Sequence, residues 1–172
     1  MKFAAKNFFF LFFSFALFIV DFLSKIYVHN YIPHAGISTP FYPYGGKSIF
    51  YNWHGIDFSI VHVTNKGAAW GLLAPFQNQL MWARFGIIAI LLGYALFLNK
   101  DKARHIPLAL IITGALSNVA DFFLYGHVVD MFRLCFWGYH YPVFNIADSL
   151  IFLGVVALFW QSFRASPKAK VA

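Results

Sequence analysis

Long apolar runs alternate with polar connections along this chain, and that alternation predicts its elements. From Phe8 to Val20 the only polar side chain is Ser14, and the apolar run continues past Asp21 to Val28. It predicts a membrane-spanning helix over about 7–28, enough residues to cross a hydrocarbon core of roughly 30 Å. No small-x-small cleavage site follows, so the segment is expected to be retained rather than removed as a leader. Further runs predict helices over about 80–98, 106–125 and 141–161. Pro107 and Pro142 fall near the starts of the last two, where a missing N–H costs least. Gly126 is placed to end the third. Residues 30–79, with Pro33, Pro40, Pro43 and Gly45-Gly46, are too polar to span a bilayer and too long to be a turn. Within them Phe58–Thr64 alternates like a strand, Asn65-Lys66-Gly67 reads as a turn, and Ala68–Leu73 as a short interfacial helix. The expected fold is an all-α polytopic membrane protein. It forms one membrane domain over 1–172, with four transmembrane helices and a small β-containing extracytoplasmic loop subdomain.

Composition strengthens that picture. The 172 residues are 60% hydrophobic and only 11% charged, with a mean hydropathy of +0.65. A soluble domain hides that much apolar surface only with difficulty, whereas a membrane protein need not hide it. The 23 phenylalanines suit lipid-facing surface and interfacial belts. A single cysteine, Cys135, excludes an internal disulfide and dithiol redox chemistry. The net charge of +7 is not gathered into a basic patch interleaved with aromatics, so nucleic acid is not an expected partner. Instead Lys2, Lys6, Lys100, Lys102, Arg104, Arg164, Lys168 and Lys170 flank the apolar runs, and four spans put them all on one side. By the positive-inside rule both termini are cytoplasmic, and the connections 30–79 and 126–140 face outward.

The acidic residues carry the candidate chemistry. All six are aspartates; Asp57 and Asp101 lie in polar connections, while Asp21, Asp121, Asp130 and Asp148 lie within or beside apolar runs. Ionisable groups there are costly and mark functional sites. The topology gathers these four at the outer boundary of the membrane. Asp21 and Lys25, four apart, share a helix face; the lysine either snorkels to the interface or faces a site. Asn118/Asp121 and Asn145/Asp148 each place an amide and a carboxyl on one helix face. Clustered carboxylates suggest a metal site, a proton relay or a pair of carboxyls sharing a proton and activating water. The seven histidines are scattered without ligand spacing, so no metal and no cofactor is expected. A relay would spread its carboxyls through the membrane depth. Groups at one level fit the shared-proton pair best. Ser149 and Cys135 have no evident base beside them as nucleophiles. Depth alone does not separate Asp121 from Asp130.

Five stretches in order carry a resemblance: Asp21-x-x-x-Lys25, Asn65-Lys-Gly-Ala-Ala-Trp70, Gly114-Ala-Leu-Ser-Asn118-x-x-Asp121, Gly126-His-Val-Val-Asp130 and Phe144-Asn-Ile-Ala-Asp148-Ser149. Over nearly its whole length the chain resembles bacterial signal peptidase II, the lipoprotein signal peptidases. The resemblance implies a multi-pass aspartyl endopeptidase of the inner membrane. It implies prolipoproteins as substrates, cut before a diacylglyceryl-modified cysteine at the outer leaflet, and inhibition by cyclic lipopeptides of the globomycin type. By motif the catalytic pair falls on Asp130 and Asp148. Asp21, Lys25, Asn65, Gly67, Asn118, Asp121 and Asn145 are implied to bind substrate or support the site. The chain departs from the family pattern at Phe122, where an arginine is usual, at Ser117, usually glycine, and at Phe22, often polar. The alternative from another class is a non-catalytic membrane binder of lipid-modified peptides.

Overall fold

The computed structural model describes residues 2–35, 40–67 and 72–164. Among the described residues, four helices are long and apolar enough to cross a membrane. They are α1 (Lys2–Tyr31), α2 (Gln77–Gly93, continued by one π-turn to Leu98), α3 (His105–Tyr125) and α4 (Ile146–Arg164). Apart from a few polar positions such as Asp21, Lys25, Arg84, Asn118, Asp121 and Asp148, their sequences are apolar, as expected of helices in lipid. They differ in how much protein covers them. Half of the α3 span is buried, against 6% for α2. The central helix is therefore α3, flanked by α4, α1 and α2. Its approach to α4 is close because glycine permits it. A Cβ on Gly114 would land on the Ala147 carbonyl oxygen, and one on Gly154 would lie 2.6 Å from the Pro107 carbonyl oxygen.

The connections after α1 and after α3 build a four-stranded antiparallel sheet in the order β1 (Lys47–Trp53), β2 (Ile56–Asn65), β3 (Val128–Phe136) and β4 (Tyr139–His140). Its central pair joins segments far apart in the sequence, with Val63 opposite Asp130 and Asn65 opposite Val128. Val129 and Met131 pack with Val28 and Ile32 from the end of α1 in the buried cluster beneath the sheet. Gly126, at φ 73, ends α3 and returns its N–H to the Phe122 carbonyl. This cap turns the chain directly into β3.

The architecture agrees with the expected polytopic fold and its small β-containing subdomain. Three features differ from the hydropathy reading. The 126–140 connection, for which hydropathy gave no element, forms the strands β3 and β4 of the sheet. The fourth helix begins at Ile146 instead of near 141, because Phe144 is held in a backbone bridge with Phe132 (Phe132 N to Phe144 O, 2.7 Å) before the helix can start. Asp148 therefore sits in the first turn of α4, not two turns in. Most of the expected interfacial helix at 68–73, with Lys168 and Lys170, lies outside the described residues.

Candidate active site

The start of α4 is built by a reciprocal cap. The Asp148 backbone N–H donates to Asn145 Oδ1 at 2.8 Å, and the Asn145 N–H donates to Asp148 Oδ2 at 3.2 Å. Two otherwise orphaned donors at the helix N-terminus are satisfied together, as in a capping box. The expected shared helix face of Asn145 and Asp148 is thus replaced by a cap, because Asn145 lies just outside the helix. The cap also fixes the asparagine amide. With Oδ1 engaged by an N–H, Nδ2 must point away, and it donates to Asp130 Oδ1 at 2.8 Å. One side chain therefore holds both Asp130, on β3, and Asp148, on α4.

Asp130 is 2% exposed. Its other oxygen accepts from Asn65 Nδ2 at 3.0 Å. The Asn65 amide is oriented in turn by the Gly67 N–H, which donates to its Oδ1 at 2.9 Å. Burial, and then the Asp148 carboxylate, push the Asp130 carboxyl up to about 7, against the pull of the Asn65 and Asn145 donors. Asp148, partly buried, accepts from Asn118 Nδ2 at 2.8 Å.

Behind this pair lies a fully enclosed ion cluster. Lys25 is 0% exposed, so the snorkelling alternative is excluded. Its Nζ lies 2.7 Å from Asp21 Oδ2 and 2.8 Å from Asp121 Oδ2, and donates to Asn118 Oδ1 at 2.9 Å. The last contact leaves only Nδ2 of Asn118 to face Asp148. Asn118 consequently serves Asp148 on the neighbouring helix and not Asp121 on its own, as their shared face had suggested. Asp21 also accepts from Ser117 Oγ at 2.6 Å and from the Ala147 N–H at 2.8 Å, pinning the first turn of α4 to α1. Asp121 accepts from the Val129 N–H at 3.3 Å and so holds the start of β3. Removing one partner from such a buried set costs about 3–5 kcal/mol, since the others remain buried and uncompensated.

All nine candidate side chains and backbones fall into this one network. Sequence reasoning missed Arg84 of α2. Its Nη2 donates to the Gly67 carbonyl at 2.7 Å, and it feels the charges of Asp148 and Asp130. A lone cation inside an otherwise uncharged apolar run was the available signal. Two grooves open beside the carboxyls. One, of about 510 Å³, runs past Asp130 between Asn65, Lys66, Arg133 and Pro142. The other, of about 380 Å³, reaches Asp148 along an apolar wall of Leu134, Phe144, Phe152 and Leu153.

A family model described as "Signal peptidase (SPase) II" matches residues 13–164. The lipoprotein signal peptidase of Chlamydia trachomatis serovar D is 40% identical over 113 residues, which are 63% of this chain and 66% of that protein. That of Burkholderia vietnamiensis strain G4 is 40% identical over 114 residues, 62% of this chain and 67% of its own length. A bacterial membrane enzyme solved by the in meso method at 2.3 Å resolution shares the fold. It has a TM-score of 0.76 at 24% identity, over 95% of this chain and 93% of the other.

Proposed function

The chain belongs to the signal peptidase II family, and from that premise we propose that it is an aspartyl endopeptidase whose reacting groups are Asp130 and Asp148. Its substrates are diacylglyceryl-modified prolipoproteins, cut before the lipid-bearing cysteine. The observation that carries this reading is Asn145, which holds a carboxyl from β3 and a carboxyl from α4 in one hydrogen-bonded unit. Two such groups resist double ionisation and keep one proton between them. Asp148 is the better seat for the negative charge, at the N-terminus of α4 with a backbone N–H and an amide donating to it. Asp130, buried and without an ion-pair partner among the described residues, is the better seat for the proton.

Asp148 takes a proton from water as the oxygen attacks the scissile carbonyl carbon, and the Asp130 hydroxyl donates to the carbonyl oxygen. Collapse of the tetrahedral adduct breaks the C–N bond. The proton gained by Asp148 passes to the leaving amine of the cysteine, and the pair returns to its single-proton state. No metal takes part. The apolar groove at Asp148 suits acyl chains, and the more polar groove at Asp130 suits an extended peptide. Cyclic lipopeptides of the globomycin type, which combine both features, are expected to compete there. With both termini cytoplasmic, the site lies at the outer leaflet of the inner membrane.

The test is cleavage of a lipid-modified substrate in detergent. Asp130→Asn and Asp148→Asn each lower kcat on the order of 10³-fold, and the double variant is hardly slower than either. Asp121→Asn keeps measurable turnover at a reduced melting temperature. Single losses that multiply in the double variant would sink the assignment. Substrate bound but never cut by the wild type would favour the non-catalytic binder.

A further inference from the structure

A second cluster of titratable side chains lies apart from the carboxyls, where α1 meets the sheet. His29 comes from the last turn of α1, His62 from β2, and His127 from the link between α3 and β3. One ring nitrogen of each lies within 4.8 Å of the others. Each ring also carries a buried nitrogen with no hydrogen-bond partner among the described residues: Nδ1 of His29, Nε2 of His62 and Nε2 of His127. Buried polar atoms are nearly always satisfied, so one orphan on each of three clustered rings calls for a missing partner.

His62 shows what kind of partner. Its Nδ1 lies 3.1 Å from the Ile32 carbonyl oxygen. A carbonyl only accepts, so the proton sits on Nδ1 and Nε2 presents a lone pair. A ring held from behind by a backbone carbonyl is the usual arrangement of a metal-ligating histidine. Neutral imidazole is the ligating form.

We propose that His29, His62 and His127 form a tri-histidine site for a divalent transition-metal ion, Zn²⁺ being the best match. Three neutral imidazoles with no carboxylate favour borderline ions over Mg²⁺ or Ca²⁺. Zn–N bonds of about 2.0–2.1 Å in a tetrahedron put ligand nitrogens about 3.4 Å apart, so each nitrogen needs to move by under about 1 Å. The fourth position is left for water or an exogenous ligand; the Tyr125 ring lies tilted against His29, with ring centroids 4.4 Å apart. The site is structural. His62 lies three residues before Asn65, and His127 three before Asp130, so the ion ties both strands of the active site to α1. It is independent of the proposed peptidase chemistry. The competing account is a stack of neutral rings that binds nothing.

The experiment uses tag-free, full-length protein in detergent, stripped with chelator and dialysed against ZnCl₂. Bound metal is counted by mass spectrometry, and the melting midpoint is followed with and without zinc. One zinc per chain and a midpoint raised by several degrees are expected. His29→Gln and His127→Gln lose the zinc and the shift, while the exposed His54→Ala and His140→Ala keep both. His62→Cys, loaded with Co²⁺, gains a sulfur-to-cobalt charge-transfer band, which tests the site even if the glutamine variants fold poorly. Less than stoichiometric zinc in the wild type overturns the proposal. So does zinc that survives His29→Gln and His127→Gln, or a folded His62→Cys protein without the band.

Discussion

Three asparagine amides decide how the carboxyls are presented. Each has its oxygen engaged by a donor: the Gly67 N–H for Asn65, Lys25 for Asn118 and the Asp148 N–H for Asn145. Each is therefore left with Nδ2 facing an aspartate. An amide donor favours the charged form of its carboxyl, while burial opposes it, and at Asp130 burial wins. The consequence for stability has a definite sign. Between the ordinary carboxyl range and about 7, native Asp130 keeps a proton that the unfolded chain has released. Stability is then greatest at low pH and is lost as pH rises through that window, by up to about 1.4 kcal/mol per unit from this one group. The expected observation is a melting midpoint in detergent that falls between pH 4.5 and 7.5, with a shallower slope in Asp130→Asn. For activity, kcat/KM is expected to fall above about pH 7, as the acid form of Asp130 is lost.

At the scale of elements, the pair depends on how closely α4 lies against α3 and how α2 holds the end of β2. Gly114 is the contact point for the first. A methyl there meets backbone at Ala147, whose N–H is bonded to Asp21 and whose neighbour is Asp148. The Ile151 side chain on the same side can shift, but the Ala147 backbone cannot swing aside. Gly114→Ala is expected to cost about 1–3 kcal/mol of stability and to lower kcat beyond what its melting temperature explains. Arg84 is the contact for the second. Arg84→Met releases the Gly67 carbonyl and removes a cation near both aspartates. A higher KM is expected, together with an alkaline limb of kcat/KM displaced to higher pH, since less positive charge makes the proton harder to remove. An unchanged limb with normal KM would reduce Arg84 to a lipid-facing residue.

The whole molecule is a bundle centred on α3 with a sheet docked on one end. Lys100, Lys102, Arg104 and Arg164 lie at the opposite end from that sheet in the chain's four-span order. The proposed orientation follows from these cations and places the sheet outside. A cysteine introduced at the exposed Lys47 position of β1, in a Cys135→Ser background, is expected to react with an impermeant reagent on intact spheroplasts. Reaction only after lysis would invert the topology and move the site to the cytoplasmic face.

Hydropathy and residue type are properties of each position, so the sequence by itself determined the four spans, the connections between them and the concentration of four aspartates at one end of the bundle. Its ordered motifs were enough to point to the family. Partner choice is not a local property. Lys25 finds Asn118 across 93 residues, and Asp21 finds the Ala147 N–H across 126. Only the fold could turn the 126–140 connection into a strand beside β2, delay α4 until Asn145 could cap it, and bring Arg84 to Gly67. It also brought together three histidines with no spacing in common. The hydrogen bonds among these contacts exist because packing forces a buried polar atom to find a partner within about 3 Å. Which atom that is depends on the arrangement of elements in space.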